Sequence, residues 1–591
     1  MLKFFKIHIF VFFFSNFLYS QSANPIIISL IEFGESFQKL NISELENVSG
    51  LSNNSRFNPS MVNQYADKIT RYLNQQGYLY ARIDKIAYTF SSDSASVKVN
   101  VIGMPGKIVL VGKIEVASDS LSSILYQNLF TVREFDPYSE LSIENDLTQM
   151  LSYAADSGFV FAKVRVTDMD IRKEENDFFA DINIHISEGK RIFIDRVELN
   201  GNDYTKENVI LRELPTGVGR QYSKSTIEQI PQQLMRLGIF KNVKTPAMLI
   251  GKNGEYILSL EIEEGNATTF DGVVGFIPEN KTSSKTKSGG FFTGLVDISF
   301  RNLFGTARSF DVHWEKPDRD SENFFLRYTE PWLLGYPFDI SGSLERTVRD
   351  STYIEWKGGV QTRWRYNRNF SIVSSLQRQV VLPDSFANVN LRLVRYEQMN
   401  LEVGLVYDTR DYAINPRKGI YLGNSYTFGL KNNFGPGFLL REDNIKTNEQ
   451  IELLKLNFKW FYELFHNQVL AIQLTGNQVK GNRLQLTDFV WFGGAKTLRG
   501  YRENQFRGDL TAWMNLEYRF LLGRNSRIFL FNDWGAYHFK DSQTEIEEIL
   551  PGYGIGLRLN TGLGIMAVDF GLGKGDDFSQ AKIHFGLINR F

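Results

Sequence analysis

The charged groups best able to bind another molecule lie in one short stretch, GGAKTLRGYRENQFRGD, residues 493–509. Its arginines are Arg499, Arg502 and Arg507, and they follow two glycines and a run of strand-like sequence. A guanidinium presents a planar fork of donors that suits carboxylates, so this stretch is typical of an ion-pair or anion-binding site. It is too polar for a buried strand and too irregular for a helix, which predicts a loop.

The other reactive residue types do not form a recognisable catalytic or metal-binding pattern. The sequence has no cysteine, which excludes a thiolate metal site and a cysteine nucleophile. The six histidines lie far apart, so the only metal site left open is one assembled from distant segments. Neither a Gly-x-Ser-x-Gly nucleophile elbow nor a glycine-rich phosphate loop occurs. The sequence therefore predicts a protein that is not an enzyme, with no cofactor and no catalytic, cofactor-binding or metal-binding residues.

The amino terminus has the layout of an export signal. Lys3 and Lys6 precede an apolar run, and small residues follow at Ser20 and Ser22. This layout is typical of a secretory signal peptide over residues 1–20, and a membrane anchor helix is less favoured because the run is short and interrupted. No later stretch of about 18 apolar residues occurs, and a formal net charge of −1 gives no general attraction to nucleic acid. The mature chain is expected to be exported, and to be either soluble or a β-barrel.

The first half of the chain contains three similar units. GYLYARI begins at Gly77, GFVFAKV at Gly158 and GIFKNV at Gly238, at spacings of 81 and 80 residues. Each follows a stretch with helical periodicity and precedes an alternating run that predicts a strand. A repeated unit of strand, helices, strand and strand is an internal array, and the edge of its small sheet could accept an extended peptide. The predicted units are residues 21–105, 106–188 and 189–265.

From residue 266 to residue 591, polar and apolar side chains alternate with a period of two. In TAWMNLEYRF, Glu517 and Arg519 point one way, while Tyr518 and Phe520 point the other. Alternation alone also fits a soluble sandwich with one solvated face. Long strands, aromatic ends and export without an anchoring helix favour an outer-membrane barrel instead. The alternating runs predict about 16 antiparallel strands, so the fold class is α+β repeats followed by an all-β transmembrane barrel.

Four motifs carry a resemblance to a known family. YTEPWLLGYPFDISGS begins at Tyr328, VYDTRDYAINPRKGIYLGNSYTFG at Val406, GGAKTLRGY at Gly493 and KIHFGLINRF at Lys582. Their order, behind three repeats, resembles the BamA/TamA superfamily of outer-membrane assembly and secretion proteins. The repeats resemble POTRA domains, which in that family lie in the periplasm. The resemblance covers essentially the whole mature chain, and three repeats resemble the layout of TamA more than that of the five-repeat BamA.

The resemblance gives the arginine-rich stretch a place and a role. It implies a loop of roughly 27 residues between the eleventh and twelfth strands, long enough to expect a function, folded into the lumen. In the family the loop arginine is held by acids on the next two strands, which here are Glu517 and Asp533 for Arg499. Glu517 lies on the polar face by its alternation, whereas Asp533 fits less well because Phe529 and Phe531 share its face. The alternative is a solvated extracellular loop. The loop motif comprises Gly493, Gly494, Leu498, Arg499, Gly500 and Tyr501.

The resemblance also implies a weak seam between the first strand, from Phe270, and the last strand, from Ala581. Glycine weakens strand pairing because it offers no side chain to pack. The seam glycines are Gly272, Gly275 and Gly586, and the C-terminal strand signal comprises Phe585, Leu587 and Phe591.

The function that the resemblance implies is assembly of other outer-membrane proteins. The chain would lie in the bacterial outer membrane with its repeats in the periplasm. Its partners would be unfolded outer-membrane or secreted proteins, outer-membrane lipid and accessory periplasmic or lipoprotein subunits, but no nucleic acid. A two-partner secretion transporter is the alternative within the family, although such proteins typically carry two repeats and a plug helix. A passive porin would not explain the repeats.

Overall fold

The computed structural model describes residues 26–92, 95–265, 267–277, 291–350, 352–540, 544–561 and 564–588. The predicted signal peptide and Phe591 lie outside these residues. The chain forms two compact units. The first contains the first two repeats, and the second contains the third repeat and a large antiparallel sheet.

The first repeat is a three-stranded sheet packed against two helices. It consists of β1 (Ile27–Phe33), α1 (Ile42–Ser49), α2 (Val62–Gln75), β2 (Arg82–Phe90) and β3 (Ser96–Met104). The third strand lies in the middle, parallel to β1 and antiparallel to β2. Tyr65, Ile69 and Leu73 recur with helical spacing along α2, and they are buried in one core with Val97 and Val99 of β3. The predicted order of strand, helices, strand and strand is confirmed.

The second and third repeats follow the same plan. The second consists of β4 (Val109–Ser118), α3 (Ser123–Gln127), α4 (Glu140–Asp156), β5 (Lys163–Glu174) and β6 (Asp177–Ser187). The third consists of β7 (Arg196–Asn200), α5 (Glu207–Leu211), α6 (Lys224–Glu228), α7 (Ile230–Met235), β8 (Phe240–Val243), β9 (Ala247–Ile250) and β10 (Tyr256–Glu264). In the part of the chain that the structure describes, no helix has the length and apolar character needed to cross a membrane.

In the first two repeats, one sheet edge is covered by the chain itself and the opposite edge is not. Asn54, before α2, donates its N–H to the carbonyl oxygen of Ile28 on β1 at 2.8 Å. In the second repeat Val111 of β4 donates its N–H to the carbonyl oxygen of Asp136 at 2.7 Å. Within the described residues, β2 and β5 pair on one side only. These two strands are therefore the edges at which an extended peptide could add.

The large sheet has 16 strands in chain order, each antiparallel to its neighbours. The prediction of about sixteen strands is confirmed. A separate hairpin lies between the eleventh and twelfth strands, and within the described residues the first and last strands share no ladder. The strands are β11 (Thr268–Ile277), β12 (Phe291–Leu303), β13 (Arg308–Lys316), β14 (Glu322–Glu330), β15 (Phe338–Arg349), β16 (Tyr353–Arg365), β17 (Phe370–Pro383), β18 (Arg395–Asp408), β19 (Gly419–Gly435), β20 (Asn448–Phe465), β21 (Gln468–Gly481), the hairpin β22 (Val490–Phe492) and β23 (Phe506–Gly508), β24 (Leu510–Leu521), β25 (Arg527–Lys540), β26 (Glu545–Thr561), β27 (Gly564–Leu572) and β28 (Lys582–Ile588). Two short helices, α8 (Ser385–Asn390) and α9 (Gly437–Glu442), lie in its connections.

Side chains of the large sheet alternate between an enclosed face and an exposed apolar face. On β24, Glu517 and Arg519 are buried, whereas Tyr518 and Phe520 are exposed. Polar residues inside and apolar residues outside are the reverse of the pattern in a soluble protein, and they suit a barrel surrounded by lipid.

Within the second unit, the third repeat is tied to the sheet by a charged cluster. The indole Nε1 of Trp332, in the turn between β14 and β15, donates to Oε1 of Glu213 at 2.6 Å. Nη1 of Arg365 donates to the same oxygen at 2.8 Å. Arg365 also pairs with both oxygens of Asp339, at 2.9 and 3.0 Å. The contact joins the third repeat to β15 and β16 of the large sheet.

Candidate functional site

The predicted loop joins β21 to β24 over residues 482–509 and carries the hairpin of β22 and β23. Its side chains reach strands far apart in the sheet. The guanidinium of Arg349 on β15 lies 4.7 Å from the ring centroid of Trp491. The hydroxyl of Tyr501 donates to the carbonyl oxygen of Pro551 on β26 at 2.8 Å. One loop can contact the fifth and the fourteenth strands together only if the sheet curls around it, so the loop lies inside.

Arg499 is enclosed by two carboxylates, and only 3% of its surface is exposed. Its Nε donates to Oδ2 of Asp533 at 2.8 Å and its Nη2 donates to Oδ1 at 2.7 Å, a bidentate pair. Its Nη1 donates to Oε1 of Glu517 at 2.6 Å. The backbone N–H of Arg499 also donates to Asp533, at 3.1 Å. The structure therefore brings the three residues together, and Asp533 rather than Glu517 makes the larger set of contacts.

Phe529 and Phe531 share the interior face of β25 with Asp533 because they stack against arginines. The guanidinium carbon of Arg499 lies 3.9 Å from the ring centroid of Phe531 and 5.5 Å from that of Phe529. The guanidinium carbon of Arg558 lies 5.0 Å from the centroid of Phe529. A cation over an aromatic face is attracted by the ring quadrupole. The two rings that fitted the lumen prediction poorly are part of the site.

Two further buried ion pairs surround Arg499, and sequence reasoning did not assign them. Nε of Arg519 donates to Oε2 of Glu517 at 2.7 Å, so that carboxylate is shared by two arginines. Arg558 of β26 pairs with both oxygens of Asp569 on β27, at 2.6 and 2.7 Å. Arg519 could have been found, because it lies two residues from Glu517 on the same face.

What this site does chemically is hold the arginine-bearing loop in place through the carboxylates of the barrel wall. Among the described residues, no group of three or more histidines, cysteines or acids could hold a metal ion.

Comparison with known proteins identifies both parts of the chain. Residues 302–591 match the Omp85 superfamily domain. Residues 26–102, 106–189 and 192–265 match the POTRA repeat, described as a surface antigen variable number repeat. The chain belongs to the Omp85 superfamily. Its sixteen-strand domain lies in the outer membrane and its POTRA repeats lie in the periplasm, as the resemblance implied.

Similar proteins carry the BamA name. The outer membrane protein assembly factor BamA of Nitratidesulfovibrio vulgaris is 23% identical over an alignment of 607 residues, which covers 96% of this chain and 73% of that protein. BamA of Neisseria meningitidis serogroup B is 22% identical over 317 residues, which cover 52% of this chain and 37% of that protein. The crystal structure of Haemophilus ducreyi BamA lacking POTRA domains 1–3 aligns over 80% of this chain and 98% of that chain, with 17% identity and a TM-score of 0.47. The closer similarity of layout to TamA stays a prediction.

The glycines of the loop motif let the backbone of the Omp85 domain turn and approach the wall. The φ angles are 116° at Gly493, 93° at Gly494 and 90° at Gly500, in the left-handed region that favours glycine. A Cβ atom at Gly500 would lie 2.5 Å from the carbonyl oxygen of Leu572 on β27. Any side chain there would push the loop, and Arg499 with it, away from the wall.

The apolar residues of the motif fix the loop beside the ion pairs. Leu498 and Tyr501 are buried in one cluster with Phe492 and Leu550. The hydroxyl of Tyr501 also accepts a hydrogen bond from the backbone N–H of Lys574 at 2.9 Å. Arg499, Gly500 and Tyr501 therefore lie at the contact between loop and wall, whereas Gly493 and Gly494 turn the backbone within the loop.

The predicted seam residues lie on the two end strands of the large sheet. Gly272 and Gly275 belong to β11, and Phe585, Gly586 and Leu587 belong to β28. Phe585 is exposed, as an outward-facing side chain of a barrel would be. The opening of this seam stays a prediction.

Proposed function

We propose that this chain is an outer-membrane protein assembly factor. Its POTRA repeats would capture unfolded outer-membrane proteins by strand addition, and its barrel would assist their insertion at the seam. The proposal includes no enzymatic step. The free energy for insertion would come from the substrate's own folding, because a strand in lipid must satisfy all its backbone groups.

The observation that carries the proposal is the pair of end strands. β11 and β28 stand at opposite ends of the strand order and share no ladder within the described residues. A strand that lacks a neighbour on one side presents on that side a row of unpaired N–H and C=O groups, and these groups can template another strand. Substrate strands would satisfy those groups as they enter the membrane.

The free edges of the first two repeats support a capture role. β2 and β5 each pair with one neighbour, whereas the opposite edge of each sheet is partly occupied by the chain. Main-chain hydrogen bonds to an edge strand give affinity without requiring one sequence. Such sites would suit many unfolded barrel proteins, which share strand-forming segments but little sequence.

The ion pairs of Arg499 would keep the barrel impermeable between rounds of assembly. A loop fixed by two acids inside the barrel fills part of the space through which ions could pass. Unfolded outer-membrane or secreted proteins and membrane lipid are the proposed partners, together with accessory periplasmic or lipoprotein subunits.

Depletion of the protein, followed by quantitative analysis of the outer-membrane proteome, tests this proposal. We expect many β-barrel proteins to fall together, with unfolded precursors accumulating in the periplasm. Loss of a single exported protein, with barrel proteins unchanged, would identify a secretion transporter instead. An unchanged proteome accompanied only by altered ion permeability would identify a pore.

A further inference from the structure

The lumen loop has a second buried anchor, which lies on its amino-terminal limb, residues 485–488. Nζ of Lys431 on β19 pairs with Asp488 of the limb, at 2.9 Å to Oδ1 and 2.6 Å to Oδ2. Nζ also lies 4.0 Å from the ring centroid of Tyr396 on β18. The side chain of Lys431 is 0% exposed and that of Asp488 is 3% exposed. This ion pair is therefore as enclosed as the one at Arg499.

Neighbouring hydrogen bonds hold the limb against the same wall. The hydroxyl of Tyr396 donates to Oγ1 of Thr487 at 2.9 Å. The backbone N–H of Val394 donates to Oε1 of Gln485 at 3.2 Å, and the backbone N–H of Gln485 donates to Oδ2 of Asp488 at 2.7 Å. The loop is thus held at two places: its limb by the eighth and ninth strands, and its tip by the twelfth and thirteenth strands.

The two residues that flank Lys431 in the sheet each carry a side-chain acceptor without a described partner. Gln398 on β18 and Glu449 on β20 are the residues directly opposite Lys431 in the two ladders of β19. The side-chain oxygen Oε1 of each is buried and has no hydrogen-bond partner among the described protein atoms. Directly opposed side chains on one face of an antiparallel pair have Cβ atoms about 4.5–5.5 Å apart. The ammonium can therefore reach either oxygen by rotating its own side chain.

A buried acceptor without a partner costs free energy, and so does a buried cation without one. When the limb lies against the wall, which is the docked arrangement, Lys431 donates to Asp488. The Oε1 atoms of Gln398 and Glu449 then have no hydrogen-bond partner among the described protein atoms. If the limb left the wall, Asp488 would enter water, and Lys431 could turn to Glu449 and Gln398. In this second arrangement the buried ammonium of Lys431 and both buried oxygens have hydrogen-bond partners.

We propose that Lys431 is a second positioning residue of the loop, which holds the limb through Asp488 and releases it by passing its ammonium to Glu449 and Gln398. The inference rests on the proposed function in one respect, since it supplies the loop movement that substrate passage would need. Its geometry and its test do not require a substrate.

The test measures how often the limb leaves the wall in the full-length protein in outer membranes. The chain has no cysteine, so Leu486→Cys gives a single thiol at a limb position packed against the cluster of Tyr353 and Tyr396. Its labelling rate with a membrane-impermeant maleimide reports the exposed limb. Asp488→Asn should speed labelling, because it removes the docked ion pair. Glu449→Gln should slow labelling by about tenfold, because a hydrogen bond to a charged group is worth that much in an equilibrium.

The direction of the Glu449→Gln effect separates exchange from a merely structural role. An acid that only stabilised the fold would, when removed, loosen the wall and speed labelling. Glu402→Gln is the matched control, because Glu402 lines an interior cavity together with Gln398 and Asp488 but lies opposite Thr427 rather than Lys431; it should label like the parent. A Glu449→Gln rate equal to or above the parent rate would overturn the proposal. If Asp488→Asn failed to assemble, the Glu449→Gln comparison would still decide. Failure of the assembly function itself would leave these rates unchanged.

Discussion

Arg499 divides its contacts unequally between two acids, and the inequality gives a prediction at the scale of single residues. Asp533 provides both oxygens to the guanidinium and also accepts from the backbone N–H, whereas Glu517 provides one oxygen and keeps Arg519 on the other. Asp533→Asn should therefore free the loop more than Glu517→Gln. Removing one partner of a buried pair costs about 3–5 kcal/mol. Single-channel conductance in planar bilayers measures the difference, and equal conductance of the two variants would contradict it.

The shape of the guanidinium, and not only its charge, should matter at position 499. Arg499→Ala removes all side-chain contacts, so we expect greater ion leakage and slower assembly of outer-membrane proteins. Arg499→Lys keeps the charge but loses the planar fork that the two oxygens of Asp533 require. Lysine should therefore restore little of the lost assembly. Arg502→Lys is the matched control, because Arg502 belongs to the same loop and its guanidinium makes no ion pair with a described residue. Heat-modifiable migration on gels would show that each variant contains a folded barrel.

The residues of this site could be predicted where polar and apolar side chains alternate regularly along a strand, because residues two positions apart lie on the same face. Glu517 and Arg519 alternate with apolar neighbours, and that pattern placed them inside. Asp533 was harder, because phenylalanines on a lumen face suggest the opposite orientation until the arginines stacked on them are known. Lys431 and Asp488 could not be paired from sequence, since 57 residues separate a strand residue from a loop residue. Only the curl of the sheet brings them together.

At the scale of elements, the first two repeats form a compact unit with two free strand edges. A fragment of residues 26–189 should fold alone and bind peptides copied from barrel strands, at about millimolar concentration for such a small contact. Strand addition uses the peptide's backbone N–H groups. Methylating the peptide nitrogens that face the repeat should abolish binding, while methylating the alternate nitrogens should not. Chemical shift changes in NMR spectra would locate the contact. Binding that survives every methylation pattern would show capture through side chains instead.

The repeats and strands themselves were predictable because their periodicities differ. Apolar residues recur every three or four positions along α2 and every two positions along β25. A free sheet edge was expected for each repeat, but these patterns did not predict which strand would form it. The segments that cover β1 and β4 carry no strand-like sequence, and they pair through a few backbone hydrogen bonds that no side-chain pattern records. A sheet edge is a property of topology, so it emerges only once strand order is known.

At the scale of the whole molecule, insertion and passage through the lumen differ in whether the seam must open. Because the chain has no cysteine, paired cysteines can be introduced on β11 and β28 without background. A panel of residues 271–275 against residues 583–587 tests several registers of the two strands. A disulfide forms only when the two Cα atoms lie about 4.4–6.8 Å apart, so the pairs that oxidise also report the register.

If the seam is the route of insertion, a verified crosslink should stop the assembly of other barrel proteins, and reductant should restore it. The physical reason is that a closed seam leaves no unpaired strand for a substrate to extend. The same cysteines kept reduced are the matched control, since they carry both substitutions without the bond. A transporter that works only through its lumen, or a passive pore, should be indifferent to the crosslink. Full assembly activity with the bond formed would move the proposal from insertion at the seam to transport through the barrel.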